Sequence, residues 1–171
     1  MDYFHLGRFL WMTLISAAIP TAILLAAVSY QPSRPRAQRA PWQGAPGLLA
    51  YLLGLVSFVG WLSWNTTNGF EELLHYGPPA VFPAWQVAGC GITLVVGTIV
   101  LNVLHSRSLR EVVAFAALIA AGCATAMSLA GSFGVTAQEG VGVGFAYIGG
   151  VVGAAVVGAV VFALSKLRAR A

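Results

Sequence analysis

Charge is scarce in this chain, and scarcest where the chain is most apolar. Only 8% of the 171 residues are charged, against about 25% in soluble domains. Five apolar stretches, about 9–30, 47–64, 84–104, 111–132 and 140–165, hold no Asp, Glu, Lys, Arg or His, apart from Glu111 at the start of the fourth. Proton pumps, cation carriers and voltage sensors usually need at least one ionisable group inside the membrane, so this absence argues against all three. Histidine is equally sparse. His5, His75 and His105 all fall at the ends of apolar stretches, which excludes a haem held by axial histidines within a bundle. Two cysteines, Cys90 and Cys123, lie inside apolar runs without C-x-x-C spacing and read as small buried hydrophobes. Gly140, Gly142 and Gly144 alternate, but no Lys-Ser/Thr follows and no strand precedes, so they are not a phosphate loop. Neither an HExxH nor a Ser-His-Asp pattern is present, and the balance leans away from an enzyme, with no cofactor expected.

What the chain has in abundance is apolar length. It is 58% hydrophobic with a mean hydropathy of +0.83, which rules out a soluble globular domain. At 1.5 Å rise per residue, about 20 apolar residues cross the hydrocarbon core. Each of the five stretches approaches or exceeds that length. The expected fold class is therefore all-α: a polytopic membrane helix bundle of five transmembrane helices, forming one domain over 1–171. The first stretch is too long for a signal-peptide core, and its basic cluster follows rather than precedes it. Pro20 near its middle removes a backbone hydrogen bond and predicts a kink.

The basic residues set an expected orientation. Arg34, Arg36 and Arg39 lie in the first connection, Arg107 and Arg110 in the third, and Lys166, Arg168 and Arg170 after the last stretch; only Arg8 lies on the other side. By the positive-inside rule these eight are cytoplasmic, leaving the N-terminus outside and the C-terminus inside. Asp2, Glu71, Glu72 and Glu139, and Trp11, Trp61, Trp64 and Trp85, then fall on or near the outer side. With no targeting extension visible and a high Gly/Ala content, a bacterial plasma membrane is the expected location. The net charge of +4 is a topology signal, and no nucleic-acid partner is expected.

Small residues recur at a spacing of four. Gly89, Thr93 and Gly97 form one such ridge, Ala116, Ala120 and Ala124 a second, and Ala146, Gly150, Ala154 and Gly158 a third. Such ridges let membrane helices approach backbone to backbone. They predict that the third, fourth and fifth helices pack as a trio. The first two helices, richer in Leu, Ile and Phe, are expected to face lipid or a partner, and one ridge could instead join copies of the chain.

Three functional readings follow. The first is a non-catalytic accessory or structural subunit of a membrane complex, whose partners are the bilayer, other membrane subunits or a second copy. Another is a small permease or channel subunit for a neutral or weakly polar solute, with Thr93, Thr98, Asn102, Thr125 and Ser128 lining a path between the third and fourth helices. The third is a metal- or redox-linked protein using Glu71, Glu72 and His75, which share one face of a short helix, together with His5 on the same side. Arg34, Arg36 and Arg39, in a proline-rich loop, are candidates for contact with anionic lipid or a partner.

Overall fold

The computed structural model describes residues 4–30, 41–64, 81–133 and 139–168, and among them every regular element is helical. Five long helices follow one another: α1 (Leu6–Ser29), α2 (Ala45–Leu62), α3 (Ala84–His105), α4 (Leu109–Ala130) and α5 (Glu139–Arg168). All five are long and apolar enough to cross a membrane. Consecutive helices run in opposite directions. One end of the bundle carries His5, Trp61, Trp85 and Ser132, and the other carries His105, Arg107, Arg110, Lys166 and Arg168. They are called here the tryptophan end and the basic end.

The centre of the bundle is α4. Of its most apolar stretch 72% is buried, whereas in every other helix 22% or less is. Its composition explains this. Ala114, Ala116, Ala117, Ala120, Ala121 and Ala124 form a buried small-residue face over a little less than half of its circumference, and Val112, Phe115, Ile119, Gly122 and Cys123, also buried, take up the remainder. Phe115 and Ile119 supply the bulk, packing against Trp42, Ala50, Leu101 and Ala154. In hydrocarbon there is no water to drive helices together, and close van der Waals contact does that work.

The trio expected from the ridges is corrected by this arrangement. Against α4 pack α2 and α5, while α3 leans on α2 and α5 and touches α4 only slightly. The reason is a backbone crossing between α2 and α4. A Cβ on Gly54 would collide with the Ile119 carbonyl oxygen, and one on Gly122 with the Tyr51 carbonyl oxygen and the Leu55 nitrogen. The side chain of Cys123 closes the contact, its thiol reaching the Gly54 carbonyl at 3.6 Å. On α2 the buried residues are Gly47, Ala50, Gly54 and Ser57, a small-residue face hidden among Leu, Phe and Trp. One face of α2 is thus buried against α4, while Leu48, Leu49 and Val56 on its other side are exposed.

The distortion expected at Pro20 lies in the turn before it. Leu14–Ala18 is a π turn, with the Ile19 N–H donating to the Leu14 carbonyl five residues back. Proline has no N–H and its ring crowds the carbonyl four residues earlier, and widening the preceding turn relieves both problems. The buried residues of α1 are Met12, Ala17 and Thr21. The first two are five apart, a spacing that shares one face only across a π turn.

At the basic end α4 starts at Leu109 rather than at 111, because Ser108 caps it. The Ser108 side chain accepts from the Glu111 N–H, and the Glu111 carboxylate accepts from the backbone N–H groups of Arg107 and Ser108. This is a capping box with one extra donor, and it turns the chain from α3 into α4 within Ser106–Ser108.

The α2–α4 crossing yields a direct test. Gly122→Val should destabilise the protein in detergent by about 3 kcal/mol, in the upper range for over-packing. Gly60→Ala, at a position where a Cβ meets nothing within 4 Å, should leave it unchanged or slightly more stable. Thermal unfolding followed by helical circular dichroism reads both.

Candidate functional site

Three groups of polar side chains lie within the spans, at three levels. At the tryptophan end the Trp61 ring lies over Gly89, where a Cβ would come 2.7 Å from it. Its indole N–H donates to Thr93 Oγ1 at 3.0 Å, and the Thr93 hydroxyl donates to the Gly89 carbonyl at 2.8 Å. Trp85 meets Trp61 and Trp64 edge-on, with centroids 6.2 and 6.0 Å apart. Beneath them Gln86 is fully buried, and its Nε2 donates to the Trp64 carbonyl at 2.9 Å.

In the middle of the bundle the Thr21 hydroxyl donates to the Tyr147 hydroxyl oxygen at 3.0 Å, joining α1 to α5. Both residues are buried. Around Tyr147 pack Met12, Ala17, Ala120 and Val143. Neither residue stood out in the sequence. A threonine one residue after a proline and a tyrosine among glycines are signals too common to single out.

At the basic end Asn102 is buried. Its Nδ2 donates to the Thr98 carbonyl at 2.8 Å, and its Oδ1 accepts from the Ser106 hydroxyl at 2.6 Å. Gly158 lies against it, where a Cβ would be 3.1 Å from the amide. Three buried side-chain atoms lack a hydrogen-bond partner among the described residues: Thr13 Oγ1, Gln86 Oε1 and His105 Nδ1. They lie at different places along α1 and α3 and do not converge.

A crevice of about 230 Å³ opens between α3 and α5, with α4 as its floor. Gly91 and Thr98 line it on α3, Ile119 and Cys123 on α4, and Gly149 and Gly153 on α5. It keeps α3 and α4 apart, and of the five residues expected to line a path there it contains only Thr98. Thr93 is spent on Trp61. Thr125 and Ser128 return their hydroxyls to the carbonyls four residues earlier at 2.8 Å. The five do not share a channel.

The ridge residues have definite places. Ala116, Ala120 and Ala124 are buried in the core. Gly150 packs on Ala120 and Gly158 on Val112, with Ala154 buried between them and Ala146 half-buried. Gly89, Thr93 and Gly97 face α2, with Gly97 under Leu53. Of the metal candidates, Glu71, Glu72 and His75 lie outside the described residues, as do Arg34, Arg36 and Arg39. His5 is exposed, and its backbone N–H donates to the Ser132 carbonyl at 2.9 Å. Among the described residues no three of His, Cys, Asp and Glu come together as a metal site, and both cysteines are free and buried.

No family model, curated protein or solved structure matches the chain.

The Thr21–Tyr147 bond can be measured by a double-mutant cycle. Thr21→Val and Tyr147→Phe should each cost about 0.6 kcal/mol, the average for interhelical hydrogen bonds in membranes, and the double variant should cost little more than either alone. Stability in detergent or bicelles is the readout, and additive losses would mean that the two hydroxyls do not interact.

Proposed function

We propose that this protein is a non-catalytic accessory or structural subunit of a membrane complex. The observation that carries this reading is where the polar side chains of the spans spend their hydrogen bonds. Trp61 bonds Thr93, Gln86 bonds the Trp64 backbone, Thr21 bonds Tyr147, and Asn102 bonds its own helix. All act as fasteners within or between neighbouring helices, and none converges with others on a common cavity. A reaction centre or a polar pathway would leave such groups facing a shared space. Of the residues that the permease reading expects along a path, only Thr98 lines the crevice, and the metal-linked reading depends on Glu71, Glu72 and His75.

The outward surface suits the same role. Phe145, Ile148, Val152, Val156 and Val160 all point away from the bundle along α5, giving an apolar flank for lipid, another membrane subunit or a second copy. In the proposed orientation the N-terminus is outside and the C-terminus cytoplasmic in a bacterial plasma membrane, with Arg34, Arg36 and Arg39 at the inner surface beside anionic head groups.

Two measurements test the proposal. The tagged protein, purified in mild detergent, should bring a stoichiometric membrane partner identifiable by mass spectrometry; a solitary monomer with intrinsic activity would overturn the reading. A fluorescent protein fused after Ala171 should fold and fluoresce, as it does only on the cytoplasmic side, while a phosphatase fused there should stay inactive. The reverse pattern would invert the topology.

A further inference from the structure

Charge at the basic end is unbalanced, and the fold itself takes up the one group that could balance it. Arg107 and Arg110 beside the α3–α4 turn and Lys166 and Arg168 on α5 are all exposed. Glu111 is the only acid near them in the chain, for none occurs in 73–110 or in 140–171. Its carboxylate is buried and accepts from the backbone N–H groups of Arg107 and Ser108. It is turned into the cap of α4 and away from the exposed cations. Glu139, the other described acid, starts α5 at the opposite end of the bundle.

The helix ends bring these cations to one corner. Gly158 of α5 lies against both Val112 of α4 and Asn102 of α3. From that level α3 ends at His105, whereas α5 continues to Arg168. At 1.5 Å per residue α5 therefore stands about 10 Å beyond the end of α3. Phe162, one turn past Gly158, is level with Ser108 and Leu109, which lie a turn before Val112. The Lys166 ammonium folds back over the Phe162 ring, 4.7 Å from its centroid. It thereby returns to the level of the turn that carries Arg107 and Arg110. The overhang of α5 is one wall of the corner, and the α3–α4 turn is its floor.

Beside these cations the surface turns apolar. Val103, Leu104, Leu109 and Leu164 are each more than half exposed. A soluble anion has no use for such a surface. An amphiphile with an anion at one end and hydrocarbon at the other matches both parts. The depth agrees, because spanning helices end where head groups begin, and Lys and Arg at that plane attract acidic head groups.

We propose that this corner is a binding site for an anionic phospholipid. The phosphate lies between Lys166 and the turn of Arg107 and Arg110, Arg168 adds attraction from the overhang, and the acyl chains run along Val103, Leu104 and Leu164. The site is separate from Arg34, Arg36 and Arg39 and does not depend on the accessory-subunit reading.

The test uses the full chain, delipidated in a neutral detergent and titrated with phosphatidylglycerol or phosphatidylcholine of the same acyl chains. Native mass spectrometry counts the bound lipid. One phosphatidylglycerol per chain should bind in preference to phosphatidylcholine. Lys166→Gln should weaken it about fivefold, the value of one cation near a lipid surface, and Arg107→Gln with Arg110→Gln about twenty-fivefold. Lys166→Arg should bind as the unmodified protein does, and so should a variant with Arg34, Arg36 and Arg39 all replaced by Gln. In the unmodified protein, raising the salt from about 0.05 to 0.5 M should weaken phosphatidylglycerol binding, a readout that needs no variant to fold. Equal affinity for the two lipids would overturn the proposal. So would binding that the Lys166 and Arg107/Arg110 variants leave unchanged, or that is lost only with Arg34, Arg36 and Arg39. Displacement by millimolar inorganic phosphate would overturn it in favour of a soluble anion. A stoichiometric protein partner released by the same variants, with no preference between the lipids, would overturn it in favour of an acidic protein segment. Helical circular dichroism and unfolding temperature establish that each variant is folded.

Discussion

The structure depends on one contact, the backbone crossing of α2 and α4 at Gly54 and Gly122. Here two helices meet with no side chain between them, and van der Waals contact at that range is the main attraction available inside a bilayer. Once α2 occupies that face of α4, the opposite face is left for α5, with Gly150 on Ala120 and Gly158 on Val112. The third helix then has no room on α4. It rests on α2 through Gly89, Thr93 and Gly97 and on α5 where Asn102 meets Gly158, and the crevice is the space left over. The polar bonds are secondary to this packing: each links groups that the glycines and alanines have already brought close.

The ends of the bundle follow from different chemistry. At the basic end the Ser108–Glu111 capping box satisfies the first N–H groups of α4 and places a carboxylate where the helix dipole favours it. Glu111 is thus spent on a local structural task despite being buried. At the tryptophan end the work is done by aromatic bulk. Trp61, Trp64 and Trp85 form one cluster, and Phe4, Phe9 and Phe133 form another, as amphipathic and aromatic rings do at a membrane boundary.

Helix number and approximate limits were legible in the sequence because apolar length and absence of charge are strong signals over about 20 residues. Partner choice between helices was only half legible. The strict four-residue ridges of α3, α4 and α5 stood out, but the face of α2 made by Gly47, Ala50, Gly54 and Ser57 alternates three- and four-residue steps among bulky neighbours. The eye reads those neighbours as lipid-facing, and the wrong trio results. Hydrogen bonds between distant positions, such as Thr21 with Tyr147 or Trp61 with Thr93, leave no mark on local pattern.

The wide turn in α1 has a meaning that is a matter of counting. Between Met12 and Thr21 the chain carries one residue more than a straight α-helix would need to keep both on the same face. No point substitution removes that residue. If Pro20 were replaced, the surplus would still have to be absorbed, either by the same wide turn or by rotating one half of α1 off the bundle. The proline marks the place where the surplus is accommodated, but the surplus itself is written in the length of the segment. Shortening α1 by one residue in that turn, rather than exchanging any side chain, is the change that would make it straight.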